Sequence, residues 1–258
     1  MKRLTNIANK SYSLILIFLL IALWHISVSL HLVKDFVLPY PLDVVTTLYK
    51  IRGELFVHLR VTIQEAVYGL LFAIIFSIAF AFIMDQFSVV KKALFPIFLV
   101  SQTVPVILLA PLLSMWFGFG MFPKILVVIL VCFFPIVVSL NEGLETVDRD
   151  EIDLMKSMGA SYLQVFKLVK FPSAAISFFS GLKVAATYSF MGAVISEWMG
   201  GKEGLGIYYL RAKKSFDINR VFAVVLVIVL MSMLIYYLVA KLQQVTMPWN
   251  NKTTNNKT

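Results

Sequence analysis

Apolar runs long enough to cross a bilayer recur along this chain, separated by short polar connections. About 20 consecutive apolar residues match the hydrocarbon thickness when helical. A backbone in lipid must satisfy its own hydrogen bonds, which a helix does internally. Such runs begin near Ser11, Val61, Ala93, Pro123, Ala174 and Val221. They predict an all-α, polytopic membrane protein with about six transmembrane helices. Composition agrees: 60% of the 258 residues are hydrophobic and 14% charged, where a soluble domain carries about a quarter charged residues.

Polar residues and helix punctuation sit mainly in the connections. Lys2, Arg3 and Lys10 precede the first run, which continues to about Leu30 with no small-residue cleavage site behind it. This reads as a retained span with its N-terminus inside. Pro39 and Pro41 interrupt the next segment, and a short amphipathic stretch follows through Leu55. The second span, to about Met84, holds Glu65 near its outer end, within reach of water or a partner. Lys91 and Lys92 mark the following connection as cytoplasmic.

The third span, to Phe117, contains Pro96, Pro105 and Pro111 around the polar cluster Ser101, Gln102 and Thr103. Proline frees backbone carbonyls that then need other partners. Gln102 and Thr103 are therefore candidates for lining a translocation pathway, or else for hydrogen bonds between packed helices. The fourth span reaches about Leu140 and is expected to kink near Pro135. In the fifth, to Trp198, Ser177, Gly181, Ala185, Ser189 and Ala193 recur every four residues. That small-residue stripe admits close approach of another helix, in the same bundle or in a second copy. Glu197, at the end of this span, is a third pathway candidate, weighed against a solvated interfacial carboxylate. The sixth span ends near Val239; a polar tail 242–258 follows, and its NNKTTNNKT stretch is expected to be disordered.

Several function classes are excluded. Cys132 is the single cysteine, and His25, His31 and His58 are scattered, so neither a disulfide framework nor a metal cluster is expected. Neither phosphate-binding glycine motif occurs, and no cofactor is expected. No acid–base or nucleophile set converges, which argues against an enzyme. The net charge of +9 borders apolar spans, fitting anionic lipid headgroups rather than nucleic acid. Lys202, Arg211, Lys213, Lys214 and Arg220 fall outside on this topology, either as a docking surface for an acidic partner or as plain solvated charge.

The long polar stretch of the second half is Asp148 to Pro172, DRDEIDLMKSMGASYLQVFKLVKFP. Asp148, Asp150, Glu151 and Asp153 place carboxylates at a helix start, where the macrodipole favours them. Ile152, Leu154, Met155 and Met158 give that helix an apolar side, and Gly159 suits its C-terminus. Ser161 and Gln164 form an S-x-x-Q capping box for a second helix. Leu163, Phe166 and Val169 recur on its inner side, with Lys167 and Lys170 opposite, and Pro172 is expected to end the unit.

This spacing resembles the EAA motif of permease subunits of ATP-binding-cassette (ABC) importers. Asp153 falls at the Glu position and Leu154 and Met155 at the two Ala positions. Gly159 matches the Gly, with Ala160 beside it, Val169 and Phe171 replace Ile and Leu, and Pro172 matches the Pro. The stretches QTVPVILLAPLLSMWFGFG, FFPIVVSLNEGLETVD, GLKVAATYSFMGAVISEWMGG and GLGIYYLRAKKSFD resemble the branch handling thiamine pyrimidine precursors, close to taurine, alkanesulfonate, nitrate and riboflavin permeases.

The resemblance implies a type I ABC importer permease fold in a prokaryotic cytoplasmic membrane, with both termini cytoplasmic. It implies a first segment 1–56, a transport core 57–241 containing the coupling loop 148–172, and the tail 242–258. It implies two ABC ATPase subunits, an extracytoplasmic substrate-binding protein and a permease homodimer as partners. ATP hydrolysis then belongs to another polypeptide. The substrate implied is a hydroxymethylpyrimidine-type precursor, with taurine or alkanesulfonate, nitrate and riboflavin as alternatives. An ion-coupled secondary carrier is the rival from another class; it would show inverted repeats and intramembrane ionisable residues.

Overall fold

In a computed structural model of the protein, residues 2–34 and 36–248 are described, without the side chains of 2–11, 13 and 14. The expected tail therefore lies mostly outside the described residues, as do the side chains of Lys2, Arg3 and Lys10. The described elements are all helical: α1 (Lys2–Ser29), α2 (Pro41–Lys50), α3 (Arg52–Gln86), α4 (Ser88–Ser101), α5 (Val106–Phe117), α6 (Met121–Glu145), α7 (Arg149–Ser157), α8 (Tyr162–Val165), a π-helical turn (Phe166–Lys170), α9 (Phe171–Glu197), α10 (Leu205–Lys214) and α11 (Ile218–Thr246).

Among the described residues, four helical stretches are long and apolar enough to cross a membrane: Arg52–Gln86, Met121–Glu145, Tyr162–Glu197 and Ile218–Thr246. Ser88–Ser101 and Val106–Phe117 qualify together, bent by 103° at their break, and Ile15–Ser29 is a shorter apolar helix. The third span is thus not one kinked helix. Of its three prolines only Pro105 breaks it: Pro96 and Pro111 sit inside α4 and α5. Pro105 is the N-cap of α5 and disfavours helical backbone at Val104. The hydroxyls of Ser101 and Thr103 bond back to the Phe98 and Val100 carbonyls, at 2.8 and 2.7 Å, and so stabilise the ending of α4.

The chain divides into two compact units, the first formed by residues 1–57 and 208–227. Within it, Pro41 occupies the first turn of α2, where its missing N–H would be unpaired anyway. The Trp24 indole donates to the Pro39 carbonyl at 2.9 Å and lies 6.0 Å from the Phe222 ring. Tyr208 donates to Glu54 at 2.9 Å; burial first, then this bond, raises its pKa. Arg220 pairs with Asp217 at 3.0 Å and approaches Glu54 at 3.6 Å, so this member of the basic cluster is held in ion pairs.

The second unit, 58–207 and 228 onward, holds the main core, centred on α6 and α9. Cys132, Ile136 and Leu140 of α6 and Ala185, Phe190 and Ala193 of α9 are fully buried. A Cβ on Gly181 would strike the Pro135 carbonyl, and one on Gly143 would lie 2.6 Å from the Ser177 Cβ. The backbones meet at these points, as close helix packing in membranes requires. Phe98 sits edge-on to Phe80 and Phe133 at 5.7 and 5.1 Å between centroids, a favourable arrangement of ring quadrupoles.

Candidate functional site

The polar groups of the second unit gather in three places. The first is the helix pair of the Asp148–Pro172 loop. Asp148 caps α7, its carboxylate accepting from the Asp150 amide at 3.0 Å. Gly159 has φ of +80°. Its amide donates to the Lys156 carbonyl at 2.9 Å and the Ala160 amide to Met155 at 3.0 Å, the paired bonds of a Schellman end. Ser161 and Gln164 form a reciprocal capping box. Leu154, Met158 and Leu163 remain exposed, leaving apolar side chains uncovered on an otherwise polar segment. Asp153 and Lys156 form only a long, exposed pair at 3.5 Å.

Past α8 the sequence expectation needs correction. Pro172 does not end the unit; it lies in the first turn of α9, and the helix runs through it. The π turn accommodates this, with the Phe171 amide reaching back five residues to the Phe166 carbonyl. The wider turn shifts the register. Phe166 is buried as expected, but Leu163 faces out and Lys170 turns in. Lys170 donates to both oxygens of Asp85, at 2.8 and 2.9 Å, and the Tyr162 hydroxyl donates to the same carboxylate. Phe82 stacks edge-on against Tyr162 and Phe166, at 5.5 and 4.9 Å. Nearby, half-buried Lys91 pairs with exposed Glu145.

The second place is a sealed polar cluster. Glu65 was expected to reach water or a partner and Glu197 to be a pathway or solvated carboxylate, yet both are fully buried. Glu65 bonds Lys124 at 2.9 Å. Glu197 accepts from the Thr62 hydroxyl at 2.6 Å and from the Gly206 amide. Thr62 also accepts from the Leu205 amide at 2.9 Å, and His58 Nδ1 accepts from the Gly204 amide at 3.0 Å. Three successive amides at the start of α10 are thus bound by His58, Thr62 and Glu197. Gly204 has φ of +132° and no room for a Cβ, which would strike the Glu197 carboxylate. Burial of an unpaired charge costs several kcal/mol, so these partners explain why Glu197 sits where it does. Both oxygens of this pathway candidate are thereby engaged within the subunit.

Lys124 was not singled out from the sequence. A lone lysine in one apolar run and a lone glutamate in another was the available signal. Asp85 and Lys170 left no comparable trace, because they join segments 85 residues apart.

The third place is the break between α4 and α5. Gln102, Thr103 and Val104 are exposed there. Ser101, Gln102 and Val104 border a cleft of about 280 Å³ completed by α5, α6 and α9. The small-residue stripe is elsewhere: Gly181, Ala185, Ser189 and Ala193 are buried and Ser177 half-buried. Its close approaches are to α6, where Cys132 donates to the Ala185 carbonyl at 3.3 Å.

Comparison with known proteins gives the family. The family described as "Binding-protein-dependent transport system inner membrane component" matches residues 68–247. The formylaminopyrimidine transport permease protein ThiX of Halalkalibacterium halodurans is 34% identical, over 91% of this chain and 94% of its own. The riboflavin transport system permease protein RibX of Chloroflexus aurantiacus is 28% identical, over 90% and 87% respectively. A crystal structure of an amino acid ABC transporter with histidines shares the fold, with a TM-score of 0.57, covering 71% of this chain and 89% of that one at 13% identity. The chain therefore belongs to the binding-protein-dependent inner-membrane transport family and is a permease subunit of a type I ABC importer.

Proposed function

We propose that this permease carries a pyrimidine precursor of thiamine, of the hydroxymethylpyrimidine type, into the cell. Two copies would form one pathway along their interface, lined in part by Gln102 and Thr103 and surrounded by lipid. Both termini are placed in the cytoplasm, with residues 57–241 as the transport core. A binding protein delivers substrate outside, and two ATPase subunits close on ATP inside. Their movement enters through Asp153, Leu154, Met155, Gly159, Ala160, Val169, Phe171 and Pro172. The observation that carries the coupling role is the rigidly capped α7–α8 pair with Leu154, Met158 and Leu163 uncovered. Apolar side chains in that position fit a partner's cleft better than water. What supports the substrate is the 34% identity to the formylaminopyrimidine permease. Riboflavin and sulfonates are the next readings, each resting on relatives at 28% identity.

The test is uptake of a labelled aminopyrimidine by the reconstituted complex, with riboflavin and taurine as competitors. ATP-dependent pyrimidine uptake, unaffected by either competitor, is the expected result. ATPase activity stimulated by taurine or riboflavin, with no pyrimidine uptake, would replace the ligand and keep the importer. Uptake that proceeds without ATP hydrolysis, driven by an ion gradient, would replace the importer with a secondary carrier.

A further inference from the structure

We infer that the cleft at the α4–α5 break is a binding site for the transported solute, and that it selects an uncharged, single-ring, hydrogen-bonding heterocycle. This rests on the importer reading above and deepens it. Non-helical backbone within an apolar bundle persists only where protein or a water-filled cavity satisfies it. Among the described residues, the carbonyls of Gln102 and Val104, which border the cleft, accept no backbone hydrogen bond. The Gln102 carboxamide and the Tyr188 hydroxyl also make none, though both residues border the cleft. The site thus offers unspent acceptors from the backbone, a carboxamide that both donates and accepts, and a phenol.

The remaining lining gives the class. Phe134, Leu109 and Met191 are apolar, and no lysine, arginine, aspartate or glutamate borders the cleft. An anion such as a sulfonate or nitrate would lose hydration there with no opposite charge in return. A flat neutral ring has apolar faces for Phe134 and Tyr188 and a polar edge for Gln102 and the free carbonyls. A volume of about 280 Å³ accommodates one such ring with small substituents.

The experiment uses the complete importer in nanodiscs without ATP, with Cys132→Ser removing the permease's single native thiol, Met191→Cys as the reporter, and labelling read on the permease chain alone. Hydroxymethyl aminopyrimidine is expected to slow maleimide labelling at position 191, while taurine, nitrate and riboflavin leave it unchanged. Adding Gln102→Ala should abolish the protection and, in sealed proteoliposomes supplied with ATP, lower pyrimidine uptake about tenfold, the equivalent of one well-placed hydrogen bond to an otherwise dry ligand, with an unchanged melting temperature. Transport of the pyrimidine with no protection at position 191 overturns the cleft and spares the substrate. Transport of taurine together with protection by taurine overturns both. Labelling blocked with or without any solute shows a second copy seated in the cleft and also overturns it.

Discussion

Glu65 and Asp85 stand on the same helix, α3, about 30 Å apart at the helical rise, close to the thickness of a hydrocarbon core. Each carboxylate binds a lysine from another helix, yet the two settings differ. Glu65 and Lys124 have side-chain exposures of 1% and 7%. Beside them Glu197, Thr62 and His58 tie down three successive backbone amides. Asp85 and Lys170 are more open, at 11% and 15%, and Lys170 closes a π turn that leads into a helix pair with uncovered apolar side chains. One end of the bundle is locked by groups that cannot exchange their partners for water. The other is held by a short ionic clasp next to an irregular turn, the kind of element that marks functional hinges. Similar ion pairs thus occupy two settings, one sealed within the bundle and one more open beside a helix irregularity.

Four substitutions test whether the two ends differ in this way. The largest effect is expected for Lys124→Met, which strands a buried carboxylate and should cost about 3–5 kcal/mol. Thermal unfolding of the purified permease reads it, and the double change Glu65→Leu with Lys124→Met should recover much of the loss. Asp85→Asn should cost less, about 1–3 kcal/mol, and should instead lower the amount of solute moved per ATP hydrolysed. Equal losses of melting temperature at both ends, with transport stoichiometry intact, would erase the distinction. Gly159→Val forces a β-branched residue into left-handed backbone, at about 1–2 kcal/mol. It should speed hydrogen exchange in α7 and uncouple hydrolysis from uptake while the bundle melts normally. Lys91→Ala is the smallest, about 0–1 kcal/mol for a surface pair, and a large change in either readout would move this pair into the clasp.

What was legible in the sequence was local. Asp148, Gly159, Ser161 and Gln164 announce their caps because each bonds within a few residues of itself. Long apolar runs announce spans for the same reason. The burial of Glu197 was hidden, since Thr62 lies 135 positions away and a carboxylate at a span end reads equally well as solvated. Three prolines in one run did not say which would break it. Pro105 does so beside the Ser101–Thr103 cluster, whose hydroxyls cap the released carbonyls, whereas Pro96 and Pro111 are absorbed by continuing helix. Pro172 was misleading in the other direction, because a π turn removes the need for its missing amide.

The contact of Gly181 with the Pro135 carbonyl and of Gly143 with Ser177 has a mechanical consequence. Two helices touching backbone to backbone slide or bend past each other poorly, so α6 and α9 behave as one beam. Over the 27 residues of α9 that beam is about 40 Å long, and a tilt of about 10° at one end displaces the other by about 7 Å. Gearing of this kind turns a small angular input into a travel comparable to the width of a small solute, with no side chain inside the beam having to repack.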